Sequence, residues 1–282
     1  MAKDIVKIVK KDNALINASY TLTLAEQRLI LLAVTEAAGE PNALKSLIVR
    51  ADRYAEQFHI TRQTAYEALK DAASQLFERR FSFQEETPKG LKTTVSRWVS
   101  HISYIEGGAF VEIAFAPHVQ PLLCDLQNKF TYYGLEQVAS LTSVHAVRLY
   151  ELLISWRSTG KTPIFEINDF RRQLGIEPDE YPRMDNFKRR VLDSSISQIN
   201  EHTDIFASYK QHKQGRTITG FSFTFSAKQN KISNVVDIQT GTKRSKPKRH
   251  VITKAEAEKM ARPGESHSEL YQRLSREYVI SD

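Results

Sequence analysis

Residues 181–202, YPRMDNFKRRVLDSSISQINEH, decide how the chain is organised. At about 100° per residue, Phe187, Val191, Leu192, Ile196 and Ile199 fall within one arc, with Arg189, Arg190, Asp193 and Ser197 on the other side. The spacing predicts a helix over 181–202 with one side in a core and a basic N-terminal end free to meet a partner. Lys188 falls in the apolar arc, so it reaches a partner only by running its stem outward.

Working outward, the elements around this helix form a recognisable order. Ahead of it, 142–157 reads as an amphipathic helix through Val144, Val147, Leu149, Leu152, Leu153 and Trp156; 163–167 is a short strand, and Asn168 caps the short helix DFRRQLG. Behind it, the strands IFASYK and TITGFSFTF are joined by a basic tip at 211–216. The same order appears once before. TLAEQRLILLAVTEAA opens with Thr23 and Glu26 at capping-box spacing. A strand at 47–51 follows, then the helix DRYAEQF and a longer helix over 61–78, with Ala65, Tyr66, Leu69, Ala72, Ala73 and Leu76 on one face. FSFQEE, KTTVSRWVSHISYIE and AFVEIAF then alternate as three antiparallel strands, separated by Pro88-Lys89-Gly90 and Gly107-Gly108.

Helix, strand, helix, helix and hairpin, occurring twice, is the order of a winged helix-turn-helix module. The expected fold is α+β, with two tandem winged helix-turn-helix domains over 1–130 and 131–228 and a basic, partly disordered tail over 229–282. A closing helix over 117–126 precedes the polar stretch 127–134, where the boundary is placed. The first ten or so residues are basic and expected to be loose until they meet something. In the tail, KRSKPKRH reads equally as a disordered linker or a nonspecific DNA tether. Two short helices, 253–261 and 268–278, follow, the second with Ser266 and Glu269 at capping-box spacing.

Forty Lys and Arg against 33 Asp and Glu give a formal charge of +7, which favours an acidic partner, nucleic acid first and anionic membrane second. Apolar runs such as 29–34 are too short to span a bilayer, and the N-terminus has no secretory signal pattern, so a cytoplasmic protein without a membrane partner is expected. The single cysteine, Cys124, excludes an intrachain disulfide and a multi-cysteine zinc site, and its leucine neighbours predict an inert buried thiol. Gly160-Lys161-Thr162 lacks the earlier glycine of a phosphate-binding loop and reads as a helix stop. None of the eight histidines forms the one-residue-spaced pair of a metal-dependent nickase; His101 and His145 sit in apolar patterns as structural residues, and Tyr132-Tyr133 as core or boundary lining. No enzymatic activity, metal or cofactor is expected.

The two long helices differ in charge. The outer face of the first carries Thr64, Glu67, Asp71, Ser74 and Glu78, so only Arg62, Gln63 and Lys70 suit a DNA groove. The later helix presents Arg189 and Arg190, with Arg183 just ahead and Arg171 and Arg172 on the preceding helix, where arginine can contact guanine edges. Lys210, Lys213 and Arg216 in one hairpin, and Lys89, Lys92 and Arg97 in the other, are candidate wing contacts to phosphate or the minor groove.

The segments SYTLTLAEQRLILLAV, RYAEQFHITRQTAYEALKDA, LQNKFTYY, HAVRLYELLISWR, YPRMDNFKRRVLDSSISQIN and GRTITGFSFTF together resemble the iteron-binding plasmid replication initiators, over roughly residues 12–226. Within that family the chain is most similar to the Rep proteins of small Acinetobacter-type plasmids and related circular episomal DNAs. The resemblance implies two winged-helix domains that bind double-stranded DNA: directly repeated origin sequences as a monomer, and an inverted repeat in the gene's own promoter as a homodimer. It also implies recruitment of the host initiator and the replicative helicase. The implied recognition residues are Arg183, Lys188, Arg189 and Arg190 in the second domain, and Arg62, Gln63 and Lys70 in the first. At Lys188 the F-plasmid pattern has arginine instead. A dimeric repressor without initiator activity and a rolling-circle nicking enzyme are the other readings. Dimerisation is expected through the edge of the strand over 98–104.

Overall fold

Local signals near the start of the chain set the frame. The Thr23 and Glu26 capping box forms as the sequence predicts: Glu26 N donates to Thr23 Oγ1 at 3.2 Å and Thr23 N to Glu26 Oε2 at 2.6 Å. It opens helix α2, Leu24–Ala37, whose run from Leu29 through Val34 is buried all round. The computed structural model describes residues 7–37, 46–105, 108–123, 130–228, 250–253 and 278–281. Two compact units are present, Met1–Asn230 and Lys231–Asp282.

The first unit opens with strand β1, Ile8–Asp12, and the short helix α1, Asn13–Asn17. After α2 come β2, Leu47–Arg50; α3, Ala51–Phe58; and α4, Arg62–Glu78, capped by the Thr61 side chain. Strands β3, Arg80–Thr87, and β4, Gly90–Arg97, pair with each other; β5, Val99–Tyr104, and β6, Phe110–Phe115, join β2 in the order β2-β6-β5. Helix α5 covers Gln120–Leu123, β7 covers Phe130–Gly134, and α6 covers Glu136–Ala139.

The second half repeats the scheme. Helix α7, Val144–Ile154, is followed by β8, Phe165–Glu166, and α8, Ile167–Gln173. Then comes a long helix in three sections: α9, Met184–Phe187; a π-helical segment, Lys188–Asp193; and α10, Ser194–His202. Strands β9, Ile205–Gln214, and β10, Thr217–Ala227, complete a sheet of order β8-β10-β9. In both halves the first strand pairs with the last and the middle one takes the edge, so the duplication read from the sequence is one of topology.

Several expectations are corrected. KTTVSRWVSHISYIE is not one strand: it breaks at Trp98, whose fully buried indole packs against Tyr20 at 4.9 Å and Phe81 at 5.1 Å, sending the chain from one sheet into another. The β3–β4 hairpin is therefore an addition to the first domain, and the turn matching the second domain's wing is the one between β5 and β6. The N-terminal arm is not loose from Ile8 onward, because β1 pairs antiparallel with β7. That pairing makes Phe130–Gly134 a strand, so the expected 130/131 boundary falls inside β7. Helix α8 is capped by the Glu166 carboxylate, which accepts from Asn168 N and Asp169 N, rather than by Asn168. Ala51 begins α3 instead of ending the preceding strand. His101, expected in the apolar packing, is exposed on β5, which does form a sheet edge. Of the expected closing helix 117–126, α5 forms the part Gln120–Leu123, while Cys124 and the rest of its end lie outside the described residues, as do the tail helices apart from Thr253 and Tyr278, which are in strands; the second unit contributes a parallel pair, β11, His250–Thr253, with β12, Tyr278–Ser281.

The largest departure concerns α7. It was expected to be amphipathic, yet residues 146–154 are all buried, including Arg148 (1 % exposed) and Glu151 (0 %). The N-terminal arm covers the polar face. Lys11 Nζ donates to Glu151 Oε1 at 2.6 Å, the Tyr133 hydroxyl donates to the same oxygen at 2.6 Å, and Arg148 reaches Glu151 Oε2 at 3.1 Å. Arg148 also donates to the carbonyls of Ile16, Ala18 and Gln173 and stacks on Tyr20 at 4.0 Å. Burial raises the Glu151 pKa, but the charges of Lys11 and Arg148 and the hydrogen bonds from Lys11 and Tyr133 outweigh it and hold it below the usual carboxylate range.

Replacing Glu151 with alanine leaves two buried cations uncompensated and is expected to cost about 3–5 kcal/mol in urea unfolding; a loss under about 1 kcal/mol would refute the role assigned to the network. Because the folded pKa is depressed, this contribution is complete above the unfolded carboxylate value of about 4.3 and is lost as pH falls through the folded value.

Candidate nucleic-acid interface

The second domain aims its long helix through an aromatic core. Phe187 packs edge-on to Phe170 at 6.4 Å and against Phe221 at 6.0 Å, and Tyr209 closes on Phe221 at 5.6 Å. Phe187, Val191, Leu192 and Ile199 are buried as the arc predicts and Ile196 is partly buried; Ser195, in the middle of that arc, is buried too. The helix starts at Met184 rather than 181, because Tyr181 adopts φ +45° and cannot join an α-helix.

The approach to the helix is held by side chains. Arg171 donates to the carbonyls of Tyr181, at 3.2 Å, and Glu180, and its guanidinium lies 5.1 Å from the centre of the Phe187 ring. Arg172 pairs with Asp169 on its own helix. Thus Arg171, grouped by the sequence with the basic face, positions the helix start. Behind it the turn at 173–177 docks on the N-terminal arm: Thr21 Oγ1 donates to Glu177 Oε1 at 2.8 Å. Gly175 has φ +75°, and a Cβ there would stand 2.5 Å from the Tyr20 carbonyl oxygen, so both its conformation and the close approach require glycine.

The named cations fall into three groups. Arg189 and Arg190 are exposed at the π-helical segment, with Arg189 within 3.1 Å of Asn186 Oδ1. Lys210, Lys213 and Arg216 are exposed on the adjoining β9–β10 wing, whose tip turns at Gly215 with φ +61°. All five are exposed, on two elements that meet where Lys188 reaches Gln211. Arg183 is exposed beside them but forks onto Asp185 at 2.8 and 3.1 Å, and its pKa is raised by that hydrogen bond. Lys188 is directed elsewhere, to Gln211.

The first-domain candidates are more scattered. Arg62 and Gln63 are exposed in the first turn of α4, with Gln63 Nε2 bonded to Glu67 at 2.6 Å, and Lys70 lies over the Tyr104 ring at 5.3 Å. Lys89, Lys92 and Arg97 are on the β3–β4 hairpin, not on the topological wing. Arg97 is committed to the C-terminal end of α4 through Phe77 O and Glu78 at 3.0 Å. Two contributors were missed by sequence reasoning, Gln211 and Tyr209. They lie on the inner face of β9, where polar residues at alternate positions gave no distinct signal.

Among the described residues, no group of three or more His, Cys, Asp or Glu side chains gathers as a metal site, and no helix is long and apolar enough to cross a membrane.

Two winged helices in tandem, the second with an exposed basic helix start beside a basic wing, define a tandem winged-helix protein of the nucleic-acid-binding type. The chain belongs to the replication initiator family: the Initiator Replication protein WH1 profile matches residues 8–154 and the Initiator Rep protein WH2 profile residues 166–225. An Escherichia coli "Uncharacterized 27.6 kDa protein" is 28 % identical over 239 residues, covering 79 % of this chain and 96 % of that protein. A "Replication initiation protein" of Escherichia coli is 25 % identical over 206 residues, covering 70 % of this chain and 63 % of its own length. The crystal structure of the Pi initiator protein in complex with iteron DNA superposes with a TM-score of 0.65 at 21 % identity, over 79 % of this chain and 98 % of that one, a likeness of fold.

His145 sits where the 173–177 turn and the approach to the long helix meet. Its Nδ1 lies 3.2 Å from Leu174 O and its ring meets Tyr181 edge-on at 6.2 Å. Burial lowers its pKa, against the opposing pull of Leu174 O and Glu180. With the folded value below the unfolded one of about 6.5, the unfolded chain takes up the proton first. Stability is expected to be complete above that pH and to fall below it, by thermal unfolding from pH 7.5 to 5.5, while His145→Gln flattens this part of the profile; an unchanged slope in the variant would contradict it.

Proposed function

We propose that the chain is a sequence-specific DNA-binding initiator of plasmid replication. On this reading it binds direct repeats (iterons) of an origin as a monomer and represses its own promoter as a dimer on an inverted repeat. Support comes from membership of the initiator family, from the fold shared with an initiator crystallised on iteron DNA, and above all from exposed Arg189 and Arg190 at the start of the core-packed helix, flanked by Lys210, Lys213 and Arg216. Arginine at the N-terminal part of a recognition helix reads guanine edges in the major groove, while wing lysines hold phosphates. Arg62, Gln63 and Lys70 would give the first domain a weaker, second contact, and the open edge of β5 offers the pairing surface for the dimer. Host initiator and helicase are the proposed protein partners. The protein acts by binding and bending DNA in the cytoplasm, without catalysis or a cofactor.

Arg189→Ala with Arg190→Ala is expected to abolish discrimination between a duplex that the wild-type protein selects from a random pool and its shuffled counterpart, with residual salt-sensitive binding to both. Retained discrimination at the same salt would remove these residues from base reading. Maintenance of an origin fragment only when the protein is supplied separates an initiator from a plain repressor.

A further inference from the structure

Residues five apart on an α-helix leave it about 140° from one another. The wider i→i+5 turn of a π-helix brings them almost to one side. Lys188 and Asp193 are the first and last residues of the π-helical segment, and both reach β9: Lys188 Nζ donates to Gln211 Oε1 at 3.1 Å, and the Tyr209 hydroxyl donates to Asp193 Oδ1 at 2.7 Å. Tyr209 and Gln211 stand opposite Phe223 and Phe221 in the sheet register, and both phenylalanines are buried, so the two polar residues share the inner face of the wing strand. The widened turn is thus pinned to the wing at both ends. Arg189 and Arg190, next after the first pin, are left exposed.

The chemistry of the first pin is one-directional. An ammonium has only donors, so the atom it holds on Gln211 is the carboxamide oxygen, and the NH2 is turned the other way. A free glutamine pairs bidentately with adenine by donating and accepting. With one lone pair of that oxygen engaged by the ammonium and the NH2 turned away from it, Gln211 presents its donors, which suit guanine N7 and O6 or a phosphate oxygen.

We propose that Lys188 is a positioning residue rather than a reader, and that it orients Gln211 as a donating DNA contact at the root of the wing. This rests on the DNA-binding reading above and reassigns a residue that the family resemblance places among the direct contacts.

The test uses the full chain as wild type, Lys188→Met, Gln211→Ala and the double variant. Affinities are measured for the wild-type-selected duplex and its shuffled counterpart at several salt concentrations. Each single change is expected to weaken the selected duplex about tenfold, with the double variant no weaker than the singles. The salt slope of Lys188→Met is expected to match wild type. Losses that multiply to about a hundredfold, or a slope reduced by about one, would place Lys188 directly on DNA and overturn the proposal. Equal loss on both duplexes identifies a phosphate contact; loss on the selected duplex alone identifies a base contact.

Lys188→Arg distinguishes orientation from packing, since it can still hold Gln211 Oε1 and is expected to recover most of the affinity lost in Lys188→Met. In the free protein, the side-chain amide resonances of Gln211 in a 15N NMR spectrum are expected to move on Lys188→Met. If they do not, the pairing is refuted whatever the DNA result. Wild-type protein that fails to distinguish the two duplexes would instead refute the DNA reading itself.

Discussion

Arg148 is the residue on which the arrangement of the first unit depends. It sits on α7, fully buried, and its guanidinium serves three parts of the chain at once: the arm at Ile16 and Ala18, the carboxylate of Glu151 on its own helix, and Gln173 in the helix-turn-helix of the second domain. Its stacking on Tyr20 continues through Trp98 into the β3–β4 and β5–β6 sheets of the first domain. A buried cation has to have all its donors answered, and here the answers come from those three separate parts of the chain. The result is a geometric condition: helix, arm and second domain are satisfied only when all three are in place.

From that condition the aim of the long helix follows. The arm holds the turn at 173–177 through Thr21 and the close approach to Gly175; Arg171 then fixes the carbonyls at 180 and 181 and leans on Phe187. Phe187 enters the aromatic core with Phe170 and Phe221, so the next turn of helix has one orientation relative to the sheet. The π-helical segment faces Lys188 and Asp193 to the wing while leaving Arg189 and Arg190 exposed. Helix and wing are thereby a single surface, which suits recognition of one stretch of duplex by preorganised side chains.

The parts of this structure carried by local chemistry were legible in the sequence. The Thr23 and Glu26 capping box, the buried face of α4 and the core arc of Phe187, Val191, Leu192 and Ile199 depend on spacings of three or four residues, which a sequence shows directly. The exposure of Arg189 and Arg190 follows from their place opposite that arc, and that of Lys210, Lys213 and Arg216 from the polar hairpin tip. The failures share a different cause. Arg148 and Glu151 looked like the polar stripe of an amphipathic helix because the arm that buries them lies about 130 residues away in the chain. KTTVSRWVSHISYIE contains no glycine or proline to mark a break, and the long-range packing of Trp98 on Tyr20 divides it. Lys188 was correctly placed near the apolar arc, but its partner on β9, and the i→i+5 turn that permits the pairing, leave no mark in the periodicity.

The central claim is that two winged helices on one chain read successive major grooves, with the second as the principal reader. Guanine N7 methylation interference on a duplex selected by the wild-type protein tests it most directly. The account predicts two clusters of interfering guanines about one helical turn apart, with the stronger cluster disappearing in the Arg189→Ala, Arg190→Ala variant at protein concentrations that restore binding. A single cluster, or two clusters that both survive the double substitution, would contradict it.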